Sequence, residues 1–146
     1  MEDQCVFCKI VEKKIPASLV YEDEYTIAFM DNHPVNEGHT LVIPKKHYAT
    51  IYTLPERETA RLYKAVKKVA CAVKKAINPE GITISQQNER GAGQDIFHVH
   101  VHVIPRYAGQ RMPRFEELKE EKREKLESAA AKIKKHIQTS AKKRRL

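Results

Sequence analysis

The sequence predicts an α+β domain: an antiparallel sheet of five strands under one long helix, with a further helix near the C-terminal end. Two observations carry that expectation. Five short segments rich in β-branched and aromatic residues are divided by turn-forming residues. One segment, from about Pro55 to Asn78, instead repeats its apolar residues at intervals of three and four.

In chain order, residues near Cys8 to Lys14 form a short helical turn, which must stop before Pro16. Leu19–Glu22 and Tyr25–Met30 read as a hairpin around Asp23-Glu24. Pro34–Gly38 is a loop, and His39–Ile43 is the next strand, closed by Pro44. Pro55 suits the first turn of the long helix. Its buried stripe is Leu62, Val66, Val69, Val73 and Ile77, with lysines on much of the remainder and Cys71 read as a small packing residue. Ile82–Gln86 is a strand, and Asn88–Asp95 is a loop bearing Gly91 and Gly93. After Pro113 a second helix has a sparse seam of Phe115, Leu118, Leu126, Ile133 and Ile137, which packs only in part or on a partner.

Composition narrows the class. With 146 residues, 41% hydrophobic and 32% charged, the chain is globular and large enough for a core. No apolar run approaches bilayer length, so no membrane partner is expected. The acidic Met1-Glu2-Asp3-Gln4 start is unlike a secretory signal. The three cysteines, Cys5, Cys8 and Cys71, are not expected to form disulfides. A cytoplasmic location follows as the expectation. The net charge of +8 favours anionic partners such as nucleotides or nucleic acid. Much of it lies in the tail Lys142-Lys143-Arg144-Arg145-Leu146, read first as a solvated end, with nuclear import or nucleic-acid contact as the sharper alternatives.

The most informative stretch is His98-Val99-His100-Val101-His102-Val103-Ile104-Pro105-Arg106. A period of two sends all three imidazoles to one face of a strand, with the valines and the isoleucine turned to the core. Same-face positions lie roughly 6.5–7 Å apart, too far for adjacent rings to touch but close enough to surround one group. Imidazole is the side chain that changes charge near neutral pH, so such a row offers a nucleophile, a proton donor and a hydrogen-bond donor together. Near the N-terminus, Cys5-Val6-Phe7-Cys8 is open to three readings: a redox pair, half of a zinc site, or coincidence.

The alternating row resembles the motif of the histidine triad family. Phe29-Met30-Asp31, Gly38-His39-Thr40-Leu41-Val42-Ile43-Pro44-Lys45-Lys46-His47, and Asn88 through Gly93-Gln94 match that family in content and order, so the resemblance spans roughly residues 5 to 107. Ile104-Pro105-Arg106 resembles the bacterial, archaeal and dinucleoside-polyphosphate-hydrolase branches; with no tryptophan, the chain lacks the C-terminal end of the nucleoside-phosphoramidase branch.

The resemblance implies a fold, a reaction and a division of roles. Residues 1–110 would be the histidine triad catalytic domain and 111–146 a basic helical extension, assembled as a two-fold homodimer. The reaction would be nucleotidyl transfer to water from a purine nucleotide carrying a leaving group on its α-phosphate. His100 would be the nucleophile, His102 would stabilise phosphate charge, and His98 would support them. Ile27, Phe29 and Asn32 would form part of the base pocket and Asp31 would accept from the ribose hydroxyls. Asn88, Gly93, Gln94 and Asp95 would face the phosphates or leaving group. Cys5, Cys8, His47 and His98 would hold a structural zinc, and no catalytic metal would be needed. His39 reads as a structural strand residue, and His33 and His136 as surface residues.

One position departs from the family. Where a small hydroxyl residue is usual after Gln94, this chain has Asp95, a negative charge beside an anion site. It either points away or tunes the leaving group. Two rival functions are a nucleotide-binding or interaction module with incidental hydrolysis, and removal of adenylate from nucleic-acid 5′ ends. The second is disfavoured because only His136 follows Arg106 among cysteines and histidines.

Overall fold

A computed structural model describes residues 4–137. Helix α1 (Val6–Val11) precedes strands β1 (Leu19–Glu22), β2 (Thr26–Met30) and β3 (Thr40–Pro44); helix α2 (Glu56–Ile77) is followed by β4 (Gly81–Ser85), β5 (Val101–Arg106) and helix α3 (Arg123–Lys134). The five strands form one sheet in the order β1-β2-β3-β5-β4 with antiparallel neighbours. The α+β expectation is met. The lysine- and arginine-rich end of the tail lies outside the described residues.

Period-two alternation divides the central strands between two apolar layers. Ala28, Met30, Val42, Val99, Val101 and Val103 pack beneath α2 and α3. Ile27, Phe29, Leu41 and Ile43 face the other way and pack with Phe7 and Ile10 of α1. Both sheet faces are therefore covered at β2 and β3, and all five residues of each are buried. Each large apolar side chain so enclosed contributes about 1.5–3 kcal/mol.

Local chemistry explains where the boundaries differ from expectation. The first helix starts earlier, because Cys5 Sγ accepts from the Cys8 amide at its N-terminus, and the chain turns out of it at Lys13, whose φ is 64°. β2 starts at Thr26 because Asp23 Oδ1 accepts from the amides of Tyr25 and Thr26, each at 2.8 Å. α2 ends at Asn78 in the left-handed region, φ 55°, with its amide bonded to the Lys74 carbonyl. Cys71 is exposed rather than packed. It follows Val69 by two positions, about 200° around the helix, and so leaves the buried stripe.

The segment after Pro113 also differs. Phe115–Glu117 makes only a 3-10 turn and Phe115 is 68% exposed. α3 starts at Arg123, and its buried seam is Leu126, Ala129, Ala130 and Ile133, all in the α2 core. The two alanines close a stripe that had looked sparse. Arg123 donates to the buried Ser18 hydroxyl at 2.9 Å, and that hydroxyl donates to Glu127 at 2.6 Å, tying α3 to the segment before β1. No described helix is long and apolar enough to cross a membrane.

Candidate active site and candidate metal site

The histidine row runs into the centre of the sheet. Regular pairing begins at Val101, where β5 joins β3, with Leu41 opposite His102. The residues before it are held by the Val99 amide on the Tyr48 carbonyl at 2.7 Å. Val99, Val101 and Val103 are fully buried on the helix side. Ile104 does not join them: it lines the histidine-side cleft, because an even position in a period-two segment shares a face with His100 and His102. The rings also come closer than a flat strand predicts, with His100 and His102 centroids 5.1 Å apart.

His98 belongs to a cysteine–histidine cluster. The ligand atoms of Cys5, Cys8, His47 and His98 all lie within 4.8 Å of one another. Cys5 Sγ is 3.4 Å and Cys8 Sγ 3.5 Å from His98 Nδ1, and Cys8 Sγ is 3.3 Å from His47 Nδ1. Tetrahedral zinc with ordinary Zn–S and Zn–N bonds separates sulfur from nitrogen by about 3.5 Å. The tautomer fits as well. His98 Nε2 donates to the Pro44 carbonyl at 2.8 Å, which leaves the Nδ1 lone pair facing the thiols. Burial pushes His98 down to about 4, so the ring is neutral near pH 7. These four residues suit a closed structural zinc site.

His100 is placed for a different task. Its Nδ1 donates to the His98 carbonyl at 2.8 Å, so a neutral ring carries its lone pair on Nε2. That nitrogen faces the cleft, 3.9 Å from Asp95 Oδ1. Burial lowers its affinity for protons, which keeps the lone pair available. Phe7 packs edge-on against the ring at 5.1 Å and against Phe29 at 5.4 Å.

The third histidine is part of a chain with His39 and Asp31. The Val35 amide donates to His39 Nδ1 at 3.0 Å, so neutral His39 bears its proton on Nε2. That Nε2 lies 3.0 Å from His102 Nδ1 and 3.4 Å from Asp31 Oδ2. Accepting at Nδ1 leaves His102 with Nε2–H as a donor to the cleft. Burial pushes His39 down to about 3 and His102 to about 4. Asp31, His39 and His102 also group like metal ligands. They differ from the first cluster in that the converging His39 nitrogen is protonated. His39 is thus more than a strand residue, since its ring sets the tautomer of His102. Burial raises the Asp31 carboxyl to about 6, although His33 donates a backbone bond to it at 2.8 Å.

These groups open on a cleft of about 500 Å³. Of the expected nucleotide contacts, Phe29, Asp31, Asn32, Gly93, Asp95, His100 and His102 line it. Ile27, Asn88 and Gln94 are not among its lining residues. Ile27 is fully buried against α1. Asn88 Oδ1 accepts from the Ile51 amide at 2.8 Å and the Gln86 side chain at 2.9 Å. Gln94 is 3% exposed, donating to the carbonyls of Ala49 and Ile96 and accepting from the Glu89 amide, which braces the glycine loop from behind. His33 and His136 are exposed.

Sequence reading missed part of the wall. Phe7, Ile10, Ile15 and Ala17 line one side, and Pro113, Phe115 and Leu118 from the C-terminal extension line another. Phe7 carried a signal, being the large apolar residue held between two candidate metal ligands. Phe115 carried none, because its segment lies beyond the matched region.

Comparison with known proteins agrees with this fold. The HIT domain family model matches residues 12–109, and the chain belongs to that family. It is 50% identical over 105 residues, 72% of this chain and 81% of the relative, to an uncharacterized HIT-like protein of Methanocaldococcus jannaschii. It is 43% identical over 102 residues, 70% of this chain and 74% of the relative, to the adenosine 5′-monophosphoramidase hnt1 of Schizosaccharomyces pombe. Among solved structures, a Hit-like protein from Bartonella henselae superposes with a TM-score of 0.85 at 40% identity, covering 92% of this chain and 98% of that one. A zinc-bound histidine triad protein from Mycobacterium smegmatis does so with a TM-score of 0.81 at 30% identity, covering 94% and 95%.

Proposed function

We propose that this protein is a nucleotidyl hydrolase that cleaves purine nucleotides at the α-phosphate through a covalent nucleotidyl-histidine. The observation that carries the reading is the tautomer of His100: with Nδ1 donating to the His98 carbonyl, the Nε2 lone pair faces the cleft. A relative named as an adenosine 5′-monophosphoramidase supports the reaction class.

In this reading Nε2 attacks phosphorus from about 3–3.5 Å. The N–P bond forms as the bond to the leaving group breaks; the leaving atom keeps the electron pair and takes a proton from water. A second water then attacks phosphorus, its oxygen bonds as the His100–phosphorus bond breaks, and its proton returns to solvent. His102 Nε2–H donates to a non-bridging oxygen, whose charge grows in both displacements. Asp31 accepts from the ribose hydroxyls, and the base lies against Phe29, Ile10 and Phe115. Zinc, when bound by Cys5, Cys8, His47 and His98, serves structure: it joins α1 to the strand end and so fixes Phe7 against His100.

The chain also pairs as a homodimer through β4 in this reading. β4 is an edge with β5 as its neighbour, and Ile84 on it is 47% exposed. Light scattering that finds a monomer at micromolar concentration would remove this part.

The central test is turnover of adenosine phosphoramidate and a dinucleoside polyphosphate by wild type and His100→Ala. Wild type releases AMP and forms an adenylated protein detectable by mass spectrometry. His100→Ala folds and releases none. Near-wild-type turnover by that variant would sink the assignment.

A further inference from the structure

The cleft that should hold a phosphate is short of positive charge. Among the described residues, none of its lining side chains is lysine or arginine, whereas Asp31 and Asp95 both line it. The basic residues near it in sequence are engaged elsewhere. Arg90, in the glycine loop, stacks over Phe97 at 5.2 Å from the ring centroid. Lys45 pairs with Glu22 at 2.8 Å, Lys46 sits over Tyr48, and Arg106 donates to the Gln110 carbonyl at 2.7 Å. Among the described residues, then, no lysine or arginine lends its charge to the lining of the cleft.

Asp95 sharpens this imbalance. Its side chain is 49% exposed, and one carboxylate oxygen stands 3.9 Å from Nε2 of His100, a nitrogen whose lone pair offers it no hydrogen bond. A carboxylate beside the reacting phosphorus repels further negative charge and attracts positive charge. A polyphosphate leaving group brings several negative charges into this field, and no lysine or arginine among the described lining residues offsets them. An amine brings none, and one bearing a second, protonated nitrogen brings a charge of the favoured sign.

We infer that Asp95 makes the site selective for nucleoside phosphoramidates with cationic amine leaving groups over polyphosphate esters. The inference rests on the hydrolytic reading above and narrows it. The His100–phosphorus bond forms as the phosphorus–nitrogen bond breaks. The amine departs with the electron pair and takes a proton from water, while its distal ammonium remains in the field of Asp95. At a half-exposed position one such charge is worth about two- to fivefold in kcat/KM, and the effect shrinks as salt is raised.

The test uses the full-length protein and three substrates: the adenosine 5′-phosphoramidates of butylamine and of 1,4-diaminobutane, and diadenosine tetraphosphate. The readout is the ratio of kcat/KM for the diamine substrate to that for the butylamine substrate, which cancels general losses of activity. We expect a ratio of about two to five in wild type, retained in Asp95→Glu and reduced to about one in Asp95→Asn. We also expect diadenosine tetraphosphate to be the poorest wild-type substrate and to gain about tenfold relative to butylamine phosphoramidate in Asp95→Asn. AMP release from the phosphoramidates with a wild-type ratio near one, or a ratio unchanged in Asp95→Asn, overturns the selectivity while leaving the hydrolase reading intact. No AMP from any substrate overturns both.

Discussion

His100 Nδ1 stands 2.8 Å from the carbonyl oxygen of His98, so the ring that presents a lone pair to the cleft is oriented by the backbone of a residue in the cysteine–histidine cluster. The cluster and the His100 ring are mechanically one unit. Phe7, held between Cys5 and Cys8, touches both rings at centroid distances of 5.9 Å to His98 and 5.1 Å to His100.

Disturbing the cluster should therefore cost stability and turnover together. Purified protein should carry about one zinc per chain by elemental analysis. Chelation, or Cys8→Ala, should remove about 3 kcal/mol, a fall of roughly 10 °C in melting temperature for a domain of this size. Turnover should drop at temperatures where the apoprotein is still folded. Metal-free protein with unchanged melting and activity would refute the coupling.

His39 should matter more than its buried position suggests. His39→Ala leaves the Val35 amide and His102 Nδ1 without their partner, each at a cost of about 1–3 kcal/mol. Freed of that bond, His102 loses its fixed tautomer, and kcat should fall on the order of tenfold to a hundredfold with KM little changed. A steady-state comparison with His102→Ala and the double variant checks this: the losses should be less than additive.

Asp31 gives the pH dependence a sign. Its folded value of about 6 lies above the 3.8 of an unburied aspartate. Between these values the unfolded chain has released the proton and the folded one has kept it, so stability falls as pH rises from about 4 to 6, and the penalty is complete above 6. Asp31→Asn removes it and should raise stability by about 1–3 kcal/mol at pH 8 and by nearly nothing at pH 4. In the proposed reading, the ionised carboxylate is the form that would accept from two ribose hydroxyls. Wild-type kcat/KM should accordingly rise through about pH 6, and Asp31→Asn should lose that limb. Thermal melts and a pH–rate profile test both halves.

Phe115 offers a test confined to binding. It lines the cleft yet is 68% exposed, so Phe115→Ala should leave melting within about 1 °C. KM for an adenosine phosphoramidate should rise several-fold with kcat retained. An unchanged KM would remove the extension from the base site.

Much of the fold was legible because its elements follow strong local rules. The valines of the histidine row, the alternation through β2 and β3, and the stripe of α2 are periodic signals that burial enforces. Where the signal was weak, expectation slipped. α3 buries Ala129 and Ala130, which look unremarkable as apolar residues until Leu126 and Ile133 flank them against α2. Ile104 was assigned to the core by its chemistry and went to the cleft by its parity.

The candidate site divides in the same way. The sequence by itself determined which groups were available: three alternating imidazoles, a CxxC pair, His47, Asp31 and the unusual Asp95. Tertiary structure decided what each imidazole can do. A neutral imidazole has one proton and one lone pair available for hydrogen bonding, and which nitrogen holds which depends on the partner the fold places beside it. The Pro44 carbonyl turns His98 toward the thiols, the His98 carbonyl turns the lone pair of His100 toward the cleft, and His39 turns the proton of His102 the same way. Pro44 and His39 come from β3 and the residue before it, and the His98 carbonyl from the backbone two residues earlier, so spacing alone could not name them.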